Sequence, residues 1–432
     1  MIPPSFVDVI VIGAGRSGLQ AAVGLQAAVG LDKTGLSYVV LEANDRVGSK
    51  TLSVTATLKS DRLTDLGTAW IINRNQKEMY VLAQEFGFER VVQRTEGLPL
   101  DQLNGTTHAI PYGQLGDFTD EQLAEILAVM TKLQESVDRS NIEHHHLSPD
   151  AVKLDSMTAL EFTSKRFSEG IAEVLVTIAL FLIDYIKSGT GLANISSDRK
   201  DGGQYLRNKM FAIKVAAKLD KKNIKLNCPV VKIIQDKKGC TVKTKNGRKY
   251  HSKKVILSVP TSLYLKIDFE PHLPPAKKEL AHSTELGYYS KSILVFDEPW
   301  WRNAHLSGEL TSMDGPVSFT RDTCVPEDNQ YSITCFHIGQ TGRKWSQLTV
   351  IKNVPEPIDI IEKDWLKDPW FLGGPSPVMK PGLLAGAGKS IRDPFKNIHF
   401  VRTETSIVWK GYMEGAIRSG IRGAREVIEA LD

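Results

Sequence analysis

The chain has 432 residues, 41% of them apolar and 24% charged, with 34 glycines and 20 prolines. That is the composition of an ordinary soluble globular protein of two or three lobes, and it excludes a disordered, collagenous or disulfide-stapled chain. Fifty-four Lys and Arg against fifty Asp and Glu leave a net charge of +4, too small for nucleic-acid binding, and the longest apolar run, Val174 to Ile183, is about half of what a bilayer crossing requires.

In chain order, the β-branched run Val7–Ile12 stops at Gly13-Ala14-Gly15-Arg16-Ser17-Gly18 and continues as the helix-like Leu19-Gln20-Ala21-Ala22. This reads as strand, tight turn and helix. A second strand, Tyr38–Leu41, ends at Glu42, 24 positions beyond Gly18, completing a βαβ unit with the spacing of a dinucleotide fold. Gly13 permits the turn, Gly15 lets the backbone approach a diphosphate and Gly18 allows close strand-helix packing. The helix N-terminus offers unpaired N–H groups to the phosphates, and Glu42 accepts hydrogen bonds from a ribose. Nicotinamide and flavin dinucleotides share this device, so the segment leaves both open.

Further along, Thr119-Asp120-Glu121-Gln122 has the form of a capping box, and Leu123, Ile126, Leu127, Met130 and Leu133 predict the buried face of an amphipathic helix. Residues 224–258 read as a β-meander turning at Lys237-Lys238-Gly239. From Gly411 a last helix is expected, with Met413, Ala416, Ile417, Ile421, Ala424, Val427, Ile428 and Leu431 on its apolar stripe and Glu414, Arg418, Arg422 and Arg425 off it. Cys228, Cys240, Cys324 and Cys335 lie far apart, and no cleavable secretory segment is read before the first strand. They are expected to be reduced thiols in a soluble, intracellular, cytoplasmic protein, and the C-terminus carries no peroxisomal address. His144-His145-His146 reads as a solvated loop rather than a metal site. No Ser/His/Asp constellation has motif support, which disfavours a hydrolase.

The segments that follow discriminate between the dinucleotides. Glu42–Thr51 and Asp65–Ile71, with Asp184–Leu192, Ser197–Leu206, Ser258–Tyr264, Leu286–Lys291, Pro299–Arg302 and Thr403–Gly420, resemble the flavin-containing monoamine oxidase family, most of all its soluble fungal branch. Thr403-Glu404-Thr405 followed by Trp409-Lys410-Gly411-Tyr412-Met413-Glu414-Gly415 carries the resemblance most specifically. It implies an α/β chain with a discontinuous Rossmann-like FAD-binding domain (1–85, 203–279 and 369–432) and an α+β substrate domain (86–202 and 280–368), the glutathione-reductase-like two-domain architecture. By similarity, Gly13, Ala14, Gly15, Ser17, Gly18, Glu42, Ala43, Lys50, Gly67, Thr68, Val230, Thr403 and Glu404 contact FAD, and Met413 sits at the helix start under the isoalloxazine.

Lys291 lies in a strand whose later positions are apolar, where a lysine is costly unless something uses it. The resemblance implies that it holds a water against the flavin N5 and assists the reaction with O2; the alternative is a strand-end lysine reaching solvent. Tyr412 resembles one wall of an aromatic cage for amines. Where mitochondrial members have a flavin-linked cysteine followed by tyrosine, this chain reads Gly373-Gly374-Pro375-Ser376-Pro377. FAD is therefore expected to be non-covalent, with Ser376 at the missing wall and Trp370, Phe371 or Trp409 as candidate replacements.

The chain also departs from the family pattern. Arg402 replaces a glycine before Thr403, a cost of about 1–2 kcal/mol if the position needs positive φ, unless the side chain points outward or meets an anion. Ser49 replaces another glycine, which reads as the milder change. Segments look shortened near Val174–Leu182, after Lys209 and between Gln347 and Pro355. The resemblance implies oxidation of the C–N bond of a small-molecule amine to an imine, then aldehyde and ammonia, with O2 reduced to H2O2, in a chain for which a homodimer is compatible. Two other readings stand beside it: an FAD-dependent oxidase, desaturase or isomerase of a non-amine secondary metabolite, and a diverged member with impaired FAD binding and no catalysis.

Overall fold

The computed structural model describes residues 6–27, 36–57, 60–72, 75–88, 90–103, 105–111, 119–158, 161–162, 179–189, 203–206, 211–312, 314–325, 329–343, 355–374 and 377–432. Ser376 and most of the three shortened segments lie outside these residues.

The Val/Ile-rich first run becomes strand β1 (Phe6–Ile12), followed by helix α1 (Arg16–Ala27) and strand β2 (Tyr38–Leu41). Val9, Ile10 and Val11 are inaccessible to solvent, as expected for a parallel strand covered on both faces. β1 pairs in parallel with β2 on one side and with β3 (Lys249–Leu257) on the other. The sheet has eight strands. Ile224–Lys225 extends it beyond β2, while Gly239–Thr244, Val230–Asp236 and Asp268–Glu270 follow β3. The expected meander is present from Val230 onward, with Asp236 opposite Gly239 across the Lys237-Lys238 turn, but its first run divides: Ile224–Lys225 pairs with β2 at the opposite edge instead.

Ile398–Phe400 pairs in parallel with the end of β3. In consequence Leu41, Ile12, Leu257 and Phe400 form one row across four parallel strands. The residues that leave this row, from Gly13, Glu42, Ser258 and Val401 onward, therefore emerge at one edge of the sheet. Ligands bind at such carboxyl ends of parallel strands. The last helix, α2 (Met413–Glu429), packs against α1, with Ser419 Oγ 3.2 Å from Ser17 Oγ.

A second sheet of seven strands contains Asp359–Asp364, Tyr289–Phe296, Tyr331–Ile338, Phe319–Asp322, Leu306–Ser312, Leu98–Leu103 and Thr106–Ala109, in that order. A separate apolar cluster joins helices Asp120–Arg139, Ala151–Asp155 and Ala179–Ser188. Here the predicted face is only partly right. Leu133 is buried, but Leu127 and Met130 are exposed, and Val129 and Val137 complete the stripe that meets Ile183 and Ile186. Neighbouring stripes on one helix are both apolar, and the position of the partner helix decides between them.

One further expectation is corrected: His145, the middle residue of the histidine run, is buried rather than solvated. Glu414, off the predicted apolar stripe, is buried as well. Among the described residues no group of side chains could hold a metal, and no helix is long and apolar enough to cross a membrane. The four cysteines are buried and unbridged, with burial pushing the Cys240, Cys324 and Cys335 thiols up to about 12.

Candidate cofactor and active site

Two cavities open along the edge where the parallel strands end. Gly13, Glu42, Ala43, Val230 and Trp370 line the first; Ser17, Lys50, Thr68, Thr403, Tyr412 and Met413 line the second. Gly15, Ser49, Ser258 and Arg402 border both, so the two form one trench running from Glu42 to Tyr412.

At the Glu42 end, the buried carboxylate accepts the N–H of Ala14 at 2.6 Å and of Asn44 at 2.9 Å. Burial raises its pKa in spite of these bonds. Two glycines of the turn fill the steric roles expected from their spacing. Gly13 has φ +99°, and a Cβ on Gly18 would stand 2.0 Å from the Gly13 carbonyl oxygen, so neither position tolerates a side chain.

Cations surround the middle of the trench. Arg16 lays its guanidinium 4.1 Å from the centre of the Phe211 ring, and burial pulls its pKa down to about 9. Lys50 Nζ is buried and has no hydrogen-bond partner among the described residues. Burial, and then the like charge of Arg402, lower its pKa to about 7. A buried ammonium without an acceptor is costly. The first-turn N–H groups of α1 and this orphaned cation are complementary to a diphosphate, and the trench's two ends suit a ribose and an aromatic ring system. The residues fit FAD.

Arg402 itself does not carry the backbone strain that a replaced glycine suggests. Its φ is 175°, an extended conformation open to any residue. The strain sits instead at Ser49, whose φ of +54° is the left-handed conformation that glycine favours. Arg402 Nε lies 3.2 Å from Glu404 Oε2, and Glu404 also accepts from the Thr261 N–H and hydroxyl. Glu404 lines neither cavity; it stands behind Arg402.

At the other end, the Thr403 hydroxyl donates to the Tyr412 carbonyl at 2.9 Å, tying the loop to the start of α2. Tyr412 precedes that helix, and Met413 begins it. The first-turn N–H groups of α2 thus border the second cavity, a favourable place for negative charge. The ring that meets Tyr412 is Tyr185, stacked at 5.6 Å and 27°. Trp409 packs edge-on against Tyr412 at 4.9 Å from within the core, and its Nε1 donates to the Asn75 carbonyl.

Trp370, expected in the cage, lines the Glu42 end instead. Its turn is pinned by Asp368, whose Oδ1 accepts the Trp370 N–H at 3.1 Å while Oδ2 meets Lys363 at 3.0 Å. Tyr185 lies within a stretch that carries the family resemblance, yet its stacking partner is 227 residues away (412 − 185) and has no local signal.

Lys291 does not reach solvent: it is inaccessible, and its Nζ donates to the carbonyls of Asp65 and of Gly67, the latter at 3.1 Å. Trp365 Nε1 donates to the intervening Leu66 carbonyl at 3.1 Å. Lysine and tryptophan together hold the segment that presents Thr68 to the trench. The Lys291 ammonium also lies 5.1 Å from the Trp70 ring centre and 5.4 Å from that of Phe336, contacts that favour a cation.

Comparison with known proteins shows the family and the fold. The sequence profile of the family described as flavin containing amine oxidoreductase matches residues 17–428. The chain is 28% identical to a probable flavin-containing monoamine oxidase A of Dictyostelium discoideum, over 98% of both chains. It is 29% identical to human flavin-containing amine oxidase B, over 98% of this chain and 86% of that one. Among solved structures, cyclohexylamine oxidase from Brevibacterium oxydans superimposes with a TM-score of 0.87 at 25% identity, covering 99% of this chain and 100% of that one. Wild-type putrescine oxidase bound to putrescine gives a TM-score of 0.90 at 22% identity with the same coverage.

Proposed function

The chain belongs to the flavin-containing amine oxidoreductase family, and on that premise we propose which of its residues serve FAD-dependent amine oxidation. When bound in this trench, FAD would supply the redox chemistry, that of a two-electron acceptor for the amine that is reoxidised by O2. Overall, an amine, O2 and water give an aldehyde, ammonia or a smaller amine, and hydrogen peroxide, by way of a free imine.

The observation that carries this assignment is the continuous trench from Glu42 to Tyr412 with the Lys50 Nζ along it, unpaired among the described residues. Glu42 receives the adenosine ribose, the N–H groups of Gly15 to Ser17 receive the diphosphate, and Val230 and Trp370 flank the adenine end. Thr68, Thr403 and Met413 meet the flavin end, where the start of α2 favours negative charge developing on the ring. FAD binding is non-covalent: no cysteine lines the second cavity, and Cys228 borders the first, beside Glu42. The cofactor lobe comprises 1–85, 203–279 and 369–432, and the substrate lobe 86–202 and 280–368.

The substrate is a small neutral primary or secondary amine. Tyr412, backed by Tyr185 and Trp409, offers an electron-rich face to its nitrogen and excludes bulk water. No side chain need act as an obligatory base, because the neutral amine's own lone pair drives hydride departure. Lys291 fixes the Asp65–Gly67 segment and positions water for the reaction with O2.

The test is anaerobic mixing of the purified yellow protein with a panel of alkyl, aryl-alkyl and diamines. We expect bleaching of the visible absorbance by at least one amine, hydrogen peroxide on readmission of air, and release of all flavin on denaturation. Flavin that no amine bleaches would defeat the amine assignment.

A further inference from the structure

Arg402 stands where the two cavities meet and borders both. Glu404 pairs with the guanidinium from behind, its Oε2 3.2 Å from Nε; that oxygen accepts no hydrogen bond among the described residues, so the pair is held by charge. Lys50 faces the same space, its buried Nζ without an acceptor among the described residues, and the two cations repel one another. The N-terminus of α1, at Arg16 and Ser17, borders the same cavity. Two like charges and a helix N-terminus converging on one point are each destabilising to the others. All three are relieved at once by a compact dianion.

We propose that Arg402 and Lys50 form a two-cation clamp on the cofactor's diphosphate, with Glu404 as the positioning residue that holds Arg402 over the trench. Where a glycine would bring only backbone to this place, arginine brings a planar donor able to take two phosphate oxygens at once. The chain's departure from the family pattern at residue 402 is then a gain in anion binding. The inference rests on the FAD-binding reading above and extends it to a residue that reading leaves unassigned.

The experiment titrates FAD-depleted protein with FAD, ADP and riboflavin by calorimetry at several salt concentrations, for the wild type, R402M, R402G, R402K, K50M and E404Q. Loss of one charge-assisted contact is expected to weaken FAD and ADP at least about tenfold in R402M, R402G and K50M, and to make the salt dependence shallower. Riboflavin, which has no phosphate, should bind each variant within about twofold of the wild type, showing that the fold is retained. R402K should keep most of the affinity, and E404Q should lose part of it without touching the ligand. R402M or R402G binding FAD and ADP as tightly as the wild type, or more tightly, would show that Arg402 merely occupies the trench and would overturn the clamp. In that case a wild type that takes up FAD leaves the cofactor assignment standing; a wild type that binds neither FAD nor ADP overturns both.

Discussion

The Glu414 carboxylate accepts the backbone N–H of Met79 at 2.8 Å, and that of Glu78 at 3.2 Å. The helix Lys77–Glu85 has no side-chain cap of its own at Gln76, so the final helix supplies one from the far end of the chain. Arg418 completes the arrangement, with Nε 2.7 Å from the same carboxylate. A fully buried carboxylate is tolerable here because it accepts three hydrogen bonds, one of them from a guanidinium.

Glu414→Leu should therefore destabilise the holoenzyme by about 3 kcal/mol, since it strips the cap and leaves Arg418 without its buried partner. Glu414→Gln keeps the shape and part of the capping and should cost about 1–2 kcal/mol. Denaturant unfolding followed by tryptophan fluorescence measures both. Equal stability of Glu414→Leu and the parent would refute the capping role.

Ser49 offers the opposite case. Its φ of +54° lies next to Gly48 at +104°, and a non-glycine residue held there costs about 1–2 kcal/mol. Ser49→Gly should raise stability by about 1 kcal/mol after the entropic penalty of the added glycine is subtracted. FAD affinity should not fall, and thermal unfolding of apo and holo protein checks both.

Lys291→Met removes the donor that ties the Asp65 and Gly67 carbonyls and, in the proposed role, the group that positions water. Stopped-flow mixing of the amine-reduced variant with oxygenated buffer should show reoxidation slowed by about tenfold or more, equivalent to about 1.4 kcal/mol of barrier. Anaerobic reduction by the amine should change much less. Oxygen reactivity equal to the parent's would remove Lys291 from that step.

The Lys50 ammonium titrates near pH 7 in the folded ligand-free protein against an ordinary 10.5. Between these values the unfolded chain binds the extra proton, so this group makes ligand-free stability rise with pH from about 7 to about 10.5. A diphosphate reverses the preference by restoring the charge. FAD affinity should be flat below about pH 7 and fall above it, by at most about tenfold per pH unit, with proton uptake on binding. Lys50→Met should abolish that slope; calorimetry in buffers of different ionisation enthalpy reads it directly.

Much of this protein was determined by its sequence alone. The run Val7–Ile12 and the glycine turn specify strand, turn and helix through period and stereochemistry acting within a few dozen residues, and the structure reproduces each, with Glu42 at the end of the second strand beside that turn. The meander at 230–257 and the last helix were legible for the same reason. Only the tertiary structure decided the rest. It turned the helix Asp120–Arg139 onto Val129 and Val137, set Tyr185 rather than Trp370 against Tyr412, and placed Glu414 over Met79. It also brought Arg402 to Lys50 by aligning Ile12, Leu41, Leu257 and Phe400 in one row. Those choices depend on which distant surfaces meet and which charges share a dry space, and local periodicity carries no record of either.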